Sequence, residues 1–323
     1  MASPNAVFTE LVSTTFRNHR ADLVDNVTRN NALLAYMKKK KKMRTEDGGL
    51  TIAVPLEYAQ NGTYQRYSGF DVLNVAQSDV ISAAEFQWRQ IAINVVASGL
   101  ELRINNGKER IINLAKSRVR NAMHTFMNNF SFDVYSDGTA ANQINGIQAL
   151  VADTGTGVVG GIDSSAFPFW QNAVQSAAAP IQGGSAIVPG PSTIESLMLP
   201  LFLNQVRGND KVDLIVADNN YFSFYEQSQT SIKRYTSSNE ADGGFISLKY
   251  KNADVIFDGN SGIPANRMYF LNTEYFELVA HKEADMTVND EVKPYNQDGV
   301  VIPVLWMGNL IMTNRRLNGV LKP

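Results

Sequence analysis

The chain has 323 residues, 44% of them hydrophobic and 19% charged, with a formal net charge of -2 and no cysteine. That size supports a sizeable core in one large domain or two ordinary ones, and the composition argues against general disorder and collagen-like repetition. Disulfides, thiolate zinc sites, iron-sulfur clusters and cysteine nucleophiles are excluded, and no stretch approaches the roughly 18 uninterrupted apolar residues of a membrane-spanning helix.

Charge falls in blocks along the chain. Residues 1–45 carry nine Lys or Arg against three Asp or Glu, residues 46–98 six acids against Arg66 and Arg89, and residues 99–132 six bases against Glu101 and Glu109. Such alternation suits partner surfaces. The opening "MASPNAVFTELVST" has no basic head followed by an apolar segment and a cleavage site, so a standard secretion signal is not expected.

Residues 5–37 read as an arm with helical turns, because Val7, Leu11, Val24, Val27, Leu33 and Leu34 give only a sparse apolar face. Such an element supports itself weakly. Lys38, Lys39, Lys40, Lys41 and Lys42 follow, with Arg44 just beyond. This run permits three readings: a solvated cluster, a localisation or nucleic-acid signal driven by counterion release, or docking onto an acidic protein surface of this chain or another copy. After a glycine turn, "LTIAVPLEY" alternates Leu50, Ile52, Val54, Leu56 and Tyr58 on one face, while Pro55 argues for an edge strand or bulge. Residues 60–82 are polar, dotted with aromatics and without core periodicity. In "FQWRQIAINVV", Phe86 and Trp88 share one phase and Ile91, Ile93 and Val95 the other, which predicts a bulge or apolar contact on both sides. A two-stranded excursion of this length needs a surface to lie on.

Residues 108–130 form the clearest helix, with Ile111, Leu114, Ala115, Val119, Ala122, Met123, Phe126 and Phe130 at three- and four-residue steps and the bases on its other faces. The glycine-rich "DTGTGVVGGID" opens a segment of turns. Ser192 with Glu195 predicts a capping box for "STIESLMLPLFLNQVR", in which Pro200 should kink or break the helix. "KVDLIVAD" reads as a buried strand, "NNYFSFYEQSQ" as a helix, and "GFISLKY", "ADVIFDG", "RMYFLNTEYFELVAH" and "VVIPVLWMGNLIMTNRR" as further strands. The pattern is α+β.

Chemistry-bearing motifs are missing. His19, His124 and His281 are far apart and lack metal-ligand spacing, the glycine-rich segment lacks the phosphate-loop pattern, and neither a nucleophile elbow nor a paired-acid motif stands out. No catalytic, cofactor-binding or metal-ligating residue is assigned, and the chain is read as a non-enzyme.

Several strings in one order carry a resemblance: "NNALLAYMKKKKKMRTEDGGLTIAVPLEYAQNGTYQRYSGFDVL", "SAAEFQWRQ", "SGLE", "NGKERIINLAKSRVRNAM", "VYSDGT", "INGIQALVAD", "VGGID", "FW" and "GNLIMTNRRLNGVL". Together, over nearly the whole chain, they resemble tailed-bacteriophage major capsid proteins of the Hong Kong 97-like fold. The resemblance implies an N-terminal arm over residues 1–45, an E-loop hairpin and its base over 46–98, a P-domain spine helix over 99–133, mainly A-domain over 134–290, and C-terminal strands returning to the P-domain over 291–323. It implies self-assembly into the hexamers and pentamers of an icosahedral shell around double-stranded DNA, after synthesis and assembly in the bacterial host cytoplasm. Expected partners are other copies, a separate scaffolding protein, a portal and a decoration protein. DNA is near the shell without being specifically read, and no cofactor or membrane is expected.

In that family the E-loop reaches over an adjacent subunit. The acidic block would then lie across the basic helix, with charge setting register and Tyr64, Tyr67, Phe70 and Trp88 supplying apolar contact. Arg66, Glu85, Arg89, Arg110, Arg118, the five lysines and Arg44 complete the candidate interface residues. Some members crosslink through an E-loop lysine, but residues 46–98 contain none, so covalent chainmail by that chemistry is not expected. The arm resemblance begins almost at Met1, which implies separate scaffolding or an already processed chain. The alternatives are an encapsulin-like compartment shell and, in a different class, a standalone nucleic-acid-binding protein.

Overall fold

A computed structural model describes residues 31–100, 108–229, 247–258, 262–290 and 292–323, with residues 108–117 and 247 described by backbone alone. Of the arm expected over residues 5–37, the part up to residue 30, with His19, lies outside the described residues.

Asn31 opens helix α1 (Ala32–Lys39) as its N-cap, its side-chain oxygen accepting the Leu34 N–H at 3.0 Å. The helix ends where Lys41 takes a left-handed φ of 56° and the Lys42 N–H reaches back to Met37 O at 2.9 Å, a Schellman closure. Leu33, Leu34 and Met37 are fully buried, so this helix is part of the body and not the outer end of a free arm. Its sparse face suffices because distant residues cover it: the Tyr36 hydroxyl donates to Asp213 O across the fold.

The chain then forms β1 (Met43–Glu46), β2 (Ile52–Glu57), β3 (Ile81–Phe86), β4 (Arg89–Ser98) and the long helix α2 (Lys108–Val134). A one-turn helix α3 (Ile147–Leu150), a small hairpin β5 (Val158–Val159) and β6 (Ile162–Asp163), strand β7 (Ala173–Ser176) and helix α4 (Ile194–Asn204) follow. The last part contains β8 (Leu214–Ala217), α5 (Asn219–Ser228), β9 (Ser247–Tyr250), β10 (Ala253–Phe257), β11 (Met268–Leu271), β12 (Phe276–His281), β13 (Thr287–Val288), β14 (Gly299–Met312) and β15 (Gly319–Lys322).

Two sheets organise these elements. In the first, β14 is the hub: residues 299–308 pair antiparallel with β4, residues 308–312 with β12, and Val304 and Leu305 with β13, while β1 lies parallel to β12. Gly308 sits where the pairing changes, and any Cβ there would collide with Val279 O and the Trp306 indole. Helix α2 lies on this sheet. Phe126 stacks on Phe130 at 5.2 Å, and Phe130 meets Trp306 edge-on at 5.0 Å. Burial of each such side chain stabilises the packing by about 1.5–3 kcal/mol.

The second sheet has strand order β7-β15-β11-β8-β10-β9. Its far face is covered by α4 and α5, and its near face joins the core that includes α1, α2 and the first sheet. Ile215 and Ala217 belong to the far core, and Leu214 and Val216 to the near one. Burial on both faces explains why this strand reads as an unbroken apolar run.

Several expectations need correction. The phase change in "FQWRQIAINVV" is neither a bulge nor a two-sided contact of one strand, because β3 pairs with β2 and β4 with β14, so the chain changes sheets at Gln87 and Trp88. "RMYFLNTEYFELVAH" likewise divides into β11 of the second sheet and β12 of the first. Thr193, not Ser192, occupies the N-cap of α4 without a side-chain cap bond; its hydroxyl donates to Val188 O at 2.7 Å, and Glu195 instead accepts from Ser228 Oγ at 3.2 Å. Pro200 lies inside α4, which continues to Asn204. Leu50 precedes β2 and is exposed. Residues 292–323 also divide: β14 lies beneath α2, whereas β15 is an inner strand of the other sheet.

Candidate assembly surfaces

The hairpin of β2 and β3 pairs in register from Ile52 with Phe86 to Glu57 with Ile81, and forms a sheet of its own. Its inner face buries Ile52, Val54, Leu56, Ala84 and Phe86. The floor beneath it is the β5–β6 hairpin. The Glu85 N–H donates to Gly160 O at 2.9 Å, and a side chain on Gly160, at φ 60°, would strike Ala84 and Phe86. Trp170 holds that floor from below, donating from Nε1 to Val159 O at 2.9 Å.

Beyond this anchored base, residues 59–80 have no helix or strand. Side-chain-to-backbone bonds shape them instead: Gln65 Nε2 donates to Val72 O at 3.1 Å, and Gln65 Oε1 accepts the Asn74 N–H at 3.0 Å. Tyr64 is 82% exposed, Phe70 105%, and Val72 and Val75 91% each. So many large apolar groups exposed in one loop are a feature of binding surfaces, and this chain does not cover them. Arg66 and Tyr67 lie in the same exposed loop, as does Asp71, which accepts the Ser68 N–H at 2.9 Å.

Other sequence candidates take different places. Trp88 turns inward, donating from Nε1 to Gly49 O at 3.0 Å and meeting His281 edge-on at 5.5 Å. Glu85 is exposed on β3, and Arg89 is half-buried at the start of β4. Arg118 donates from α2 to Val96 O of β4, tying helix to strand. The Arg110 side chain lies outside the described residues.

The lysine run closes α1 and partly docks on this chain's own body. Lys40 pairs with Asp213 at 3.6 Å and lies over the Tyr36 ring, Lys42 donates to Glu274 O at 3.4 Å, and Arg44 pairs with Glu46 at 2.9 Å and Glu277 at 3.0 Å. Lys38, Lys39 and Lys41 are exposed. Two open grooves flank these parts. One, of about 600 Å³, runs between β4 and α2 and is lined by Ile93, Val96, Arg118, Asn121 and Thr125. The other, of about 470 Å³, lies between the hairpin base and the β5–β6 floor, beside Tyr58, Ile81, Phe167 and Phe169.

Sequence reasoning missed Arg315. Its guanidinium is fully buried, donating to Leu150 O at 2.7 Å, Trp170 O at 3.1 Å and Asn172 Oδ1 at 2.9 Å. Burial lowers its pKa to about 10, so it remains a cation at neutral pH. The clamp joins the end of α3, the turn beneath the β5–β6 floor and the start of β7. Its neighbour Arg316 is exposed, and nothing in "TNRRLNG" tells the two apart. A second buried pair, the Tyr135 hydroxyl donating to Asp258, ties the end of α2 to the end of β10, and burial raises the tyrosine's pKa well above its usual value.

Among the described residues no group of three His, Asp or Glu is placed to hold a metal, and no helix is long and apolar enough to cross a membrane. What the geometry offers is an anchored stalk, an uncovered apolar tip and shallow grooves, which are means of binding.

This mixed architecture matches that of capsid subunits. The cyanophage A-1(L) capsid asymmetric unit superposes with a TM-score of 0.63 at 14% identity, covering 87% of this chain and 90% of that one. The capsid of Myoviridae phage XM1 gives 0.53 at 11% identity over 88% and 91%, and the capsid of the native GTA particle 0.52 at 12% over 88% of each. At these identities the likeness is one of fold. The chain has a capsid-subunit fold, of the Hong Kong 97-like type that its sequence resembles. No family model and no curated protein matches the sequence.

Proposed function

We propose that this chain is the major head protein of a tailed bacteriophage, assembling into hexamers and pentamers of an icosahedral shell that encloses double-stranded DNA. The observation that carries the reading is the uncovered apolar tip around Tyr64 and Phe70, held out on an anchored two-stranded stalk in a chain of capsid fold. In this reading β2, β3 and the loop between them are the E-loop, α2 with the first sheet is the P-domain, and the second sheet with α4 and α5 is the A-domain. The tip lies across a neighbouring copy near its α2, with the acidic block of residues 46–98 facing the basic block of 99–132.

Each exposed ion pair contributes only about 0–1 kcal/mol, so charge selects register while apolar contact repeated around a closed shell supplies affinity. Engagement of Lys40, Lys42 and Arg44 on the chain's own body favours this reading over a standalone nucleic-acid-binding protein. Assembly takes place in the bacterial cytoplasm with scaffolding, portal and decoration partners, and the finished chain resides in the virion capsid. The absence of lysine from residues 46–98 argues against an E-loop lysine crosslink. Electron microscopy of the purified chain, alone and with lysate from phage-producing cells, tests the proposal. Closed shells or capsomers are expected; single particles under both conditions would refute it.

A further inference from the structure

The sequence contains four Asn-Gly pairs, one of which, residues 106–107, lies outside the described residues. Two others are held rigidly. Asn318 is fully buried, its Oδ1 accepting the Asn272 N–H at 2.8 Å and its Nδ2 donating to Asn314 O at 2.7 Å, and Gly319 belongs to the β15 ladder. The Asn145 N–H is bound by Asn309 Oδ1 at 2.8 Å, and Gly146 is pressed so closely on Ser136 that a Cβ would not fit.

Asn61-Gly62 is different. Both residues are exposed in the apolar tip, and nothing lies within 4 Å of where a Gly62 Cβ would be. Asn61 Oδ1 accepts two bonds from Thr63, from its N–H at 3.0 Å and its hydroxyl at 2.8 Å. These hold the carboxamide in a turn that spans the Gly62 peptide, and the two donors stabilise the negative charge that develops on that oxygen when its carbon is attacked. The Gly62 N–H faces Ser78 Oγ at 3.3 Å, a long, exposed contact that opens readily to water.

We propose that Asn61 is a self-modification site, where the Gly62 backbone nitrogen attacks the Asn61 side-chain carbonyl carbon. The nitrogen's proton passes to solvent base as the new C–N bond forms, and the bond to the amide nitrogen breaks. That nitrogen leaves, protonated, as ammonia. Solvent water then opens the cyclic imide at one of its two carbonyls, giving aspartate or isoaspartate; the net change exchanges water for ammonia and involves no oxidant. The product adds a carboxylate to a loop that already carries Asp71 and Asp79 against Arg66, and the isoaspartyl form lengthens the backbone by one methylene.

The test is peptide mapping by mass spectrometry, with isoaspartate detection, of the full chain held in warm neutral buffer beside Gly62→Ala. The Gly62 backbone is free of positive φ and a methyl there meets open space, so the variant keeps the fold while crowding the attacking nitrogen. Acid forms are expected at Asn61 about tenfold or more faster than at Asn145 or Asn318, because only Asn61 reaches the attacking geometry without opening of the fold. Gly62→Ala should slow the reaction by about tenfold. Equal rates at the three pairs, or an undiminished rate in Gly62→Ala, would overturn the assignment.

Discussion

Arg315 is a single buried side chain that ties together the segments beneath the hairpin without touching the hairpin's exposed tip. Truncation to alanine strands Leu150 O, Trp170 O and Asn172 Oδ1 and leaves a cavity under the floor of the hairpin. We expect a loss of about 3 kcal/mol or more in Arg315→Ala, since an unsatisfied buried acceptor alone costs about 1–3 kcal/mol and the cavity adds to it. Arg315→Lys should lose less, because it keeps the charge but not the planar fork. Denaturant midpoints of the dissociated chain report both, and an unchanged midpoint for Arg315→Ala would contradict the clamp. Buried tyrosines give a pH signature. Burial pushes Tyr221 and Tyr250 up to about 12 and also raises Tyr36, Tyr135, Tyr225 and Tyr269. An unfolded tyrosine ionises near 10, so the unfolded chain releases these protons first. Their contribution is full below about pH 10 and drains as pH climbs through about 12. Arg315 acts in the opposite sense, its burial cost easing above about 10, but it is one group against six. Alkaline titration should therefore show the buried tyrosinate absorbance rising together with loss of helical circular dichroism; tyrosinate formed in an intact fold would contradict it.

At the scale of elements, the end of α1 carries a local cost that can be removed. Lys41 holds a left-handed φ of 56° where helices usually place glycine. Lys41→Gly should raise stability by about 0.5–1 kcal/mol, the relief of strain exceeding glycine's greater freedom in the unfolded chain, while Lys41→Val should lower it. Thermal unfolding of both variants checks the sign. Elements with strong local periodicity are legible in the sequence. Helix α2 is visible from Val119 to Phe130, and β2 from the alternation of Ile52, Val54 and Leu56. Places where the chain changes sheet are not legible, because Phe86 to Arg89 and Leu271 to Phe276 keep strand-like composition while their partners change. Burial of Leu33 and Leu34 was equally hidden. Their cover comes from residues far away in the chain, and a short local pattern carries no trace of it.

Across the whole molecule, two sheets share a continuous core through the near face of the second, and the hairpin stalk rests on that core while its tip does not. Tyr64, Tyr67 and Phe70 are exposed in a stretch whose sequence shows only a lack of core periodicity, and the inward turn of Trp88 depends on His281 and Gly49 and has no local signal. In the proposed function an isolated chain with this surface is incomplete, and sister copies complete it. Hydrogen exchange of residues 59–80, compared between dissociated subunits and assembled particles, tests that claim most directly. Fast exchange in the dissociated chain and strong protection in the particle is the predicted result; equally fast exchange in both states would contradict it.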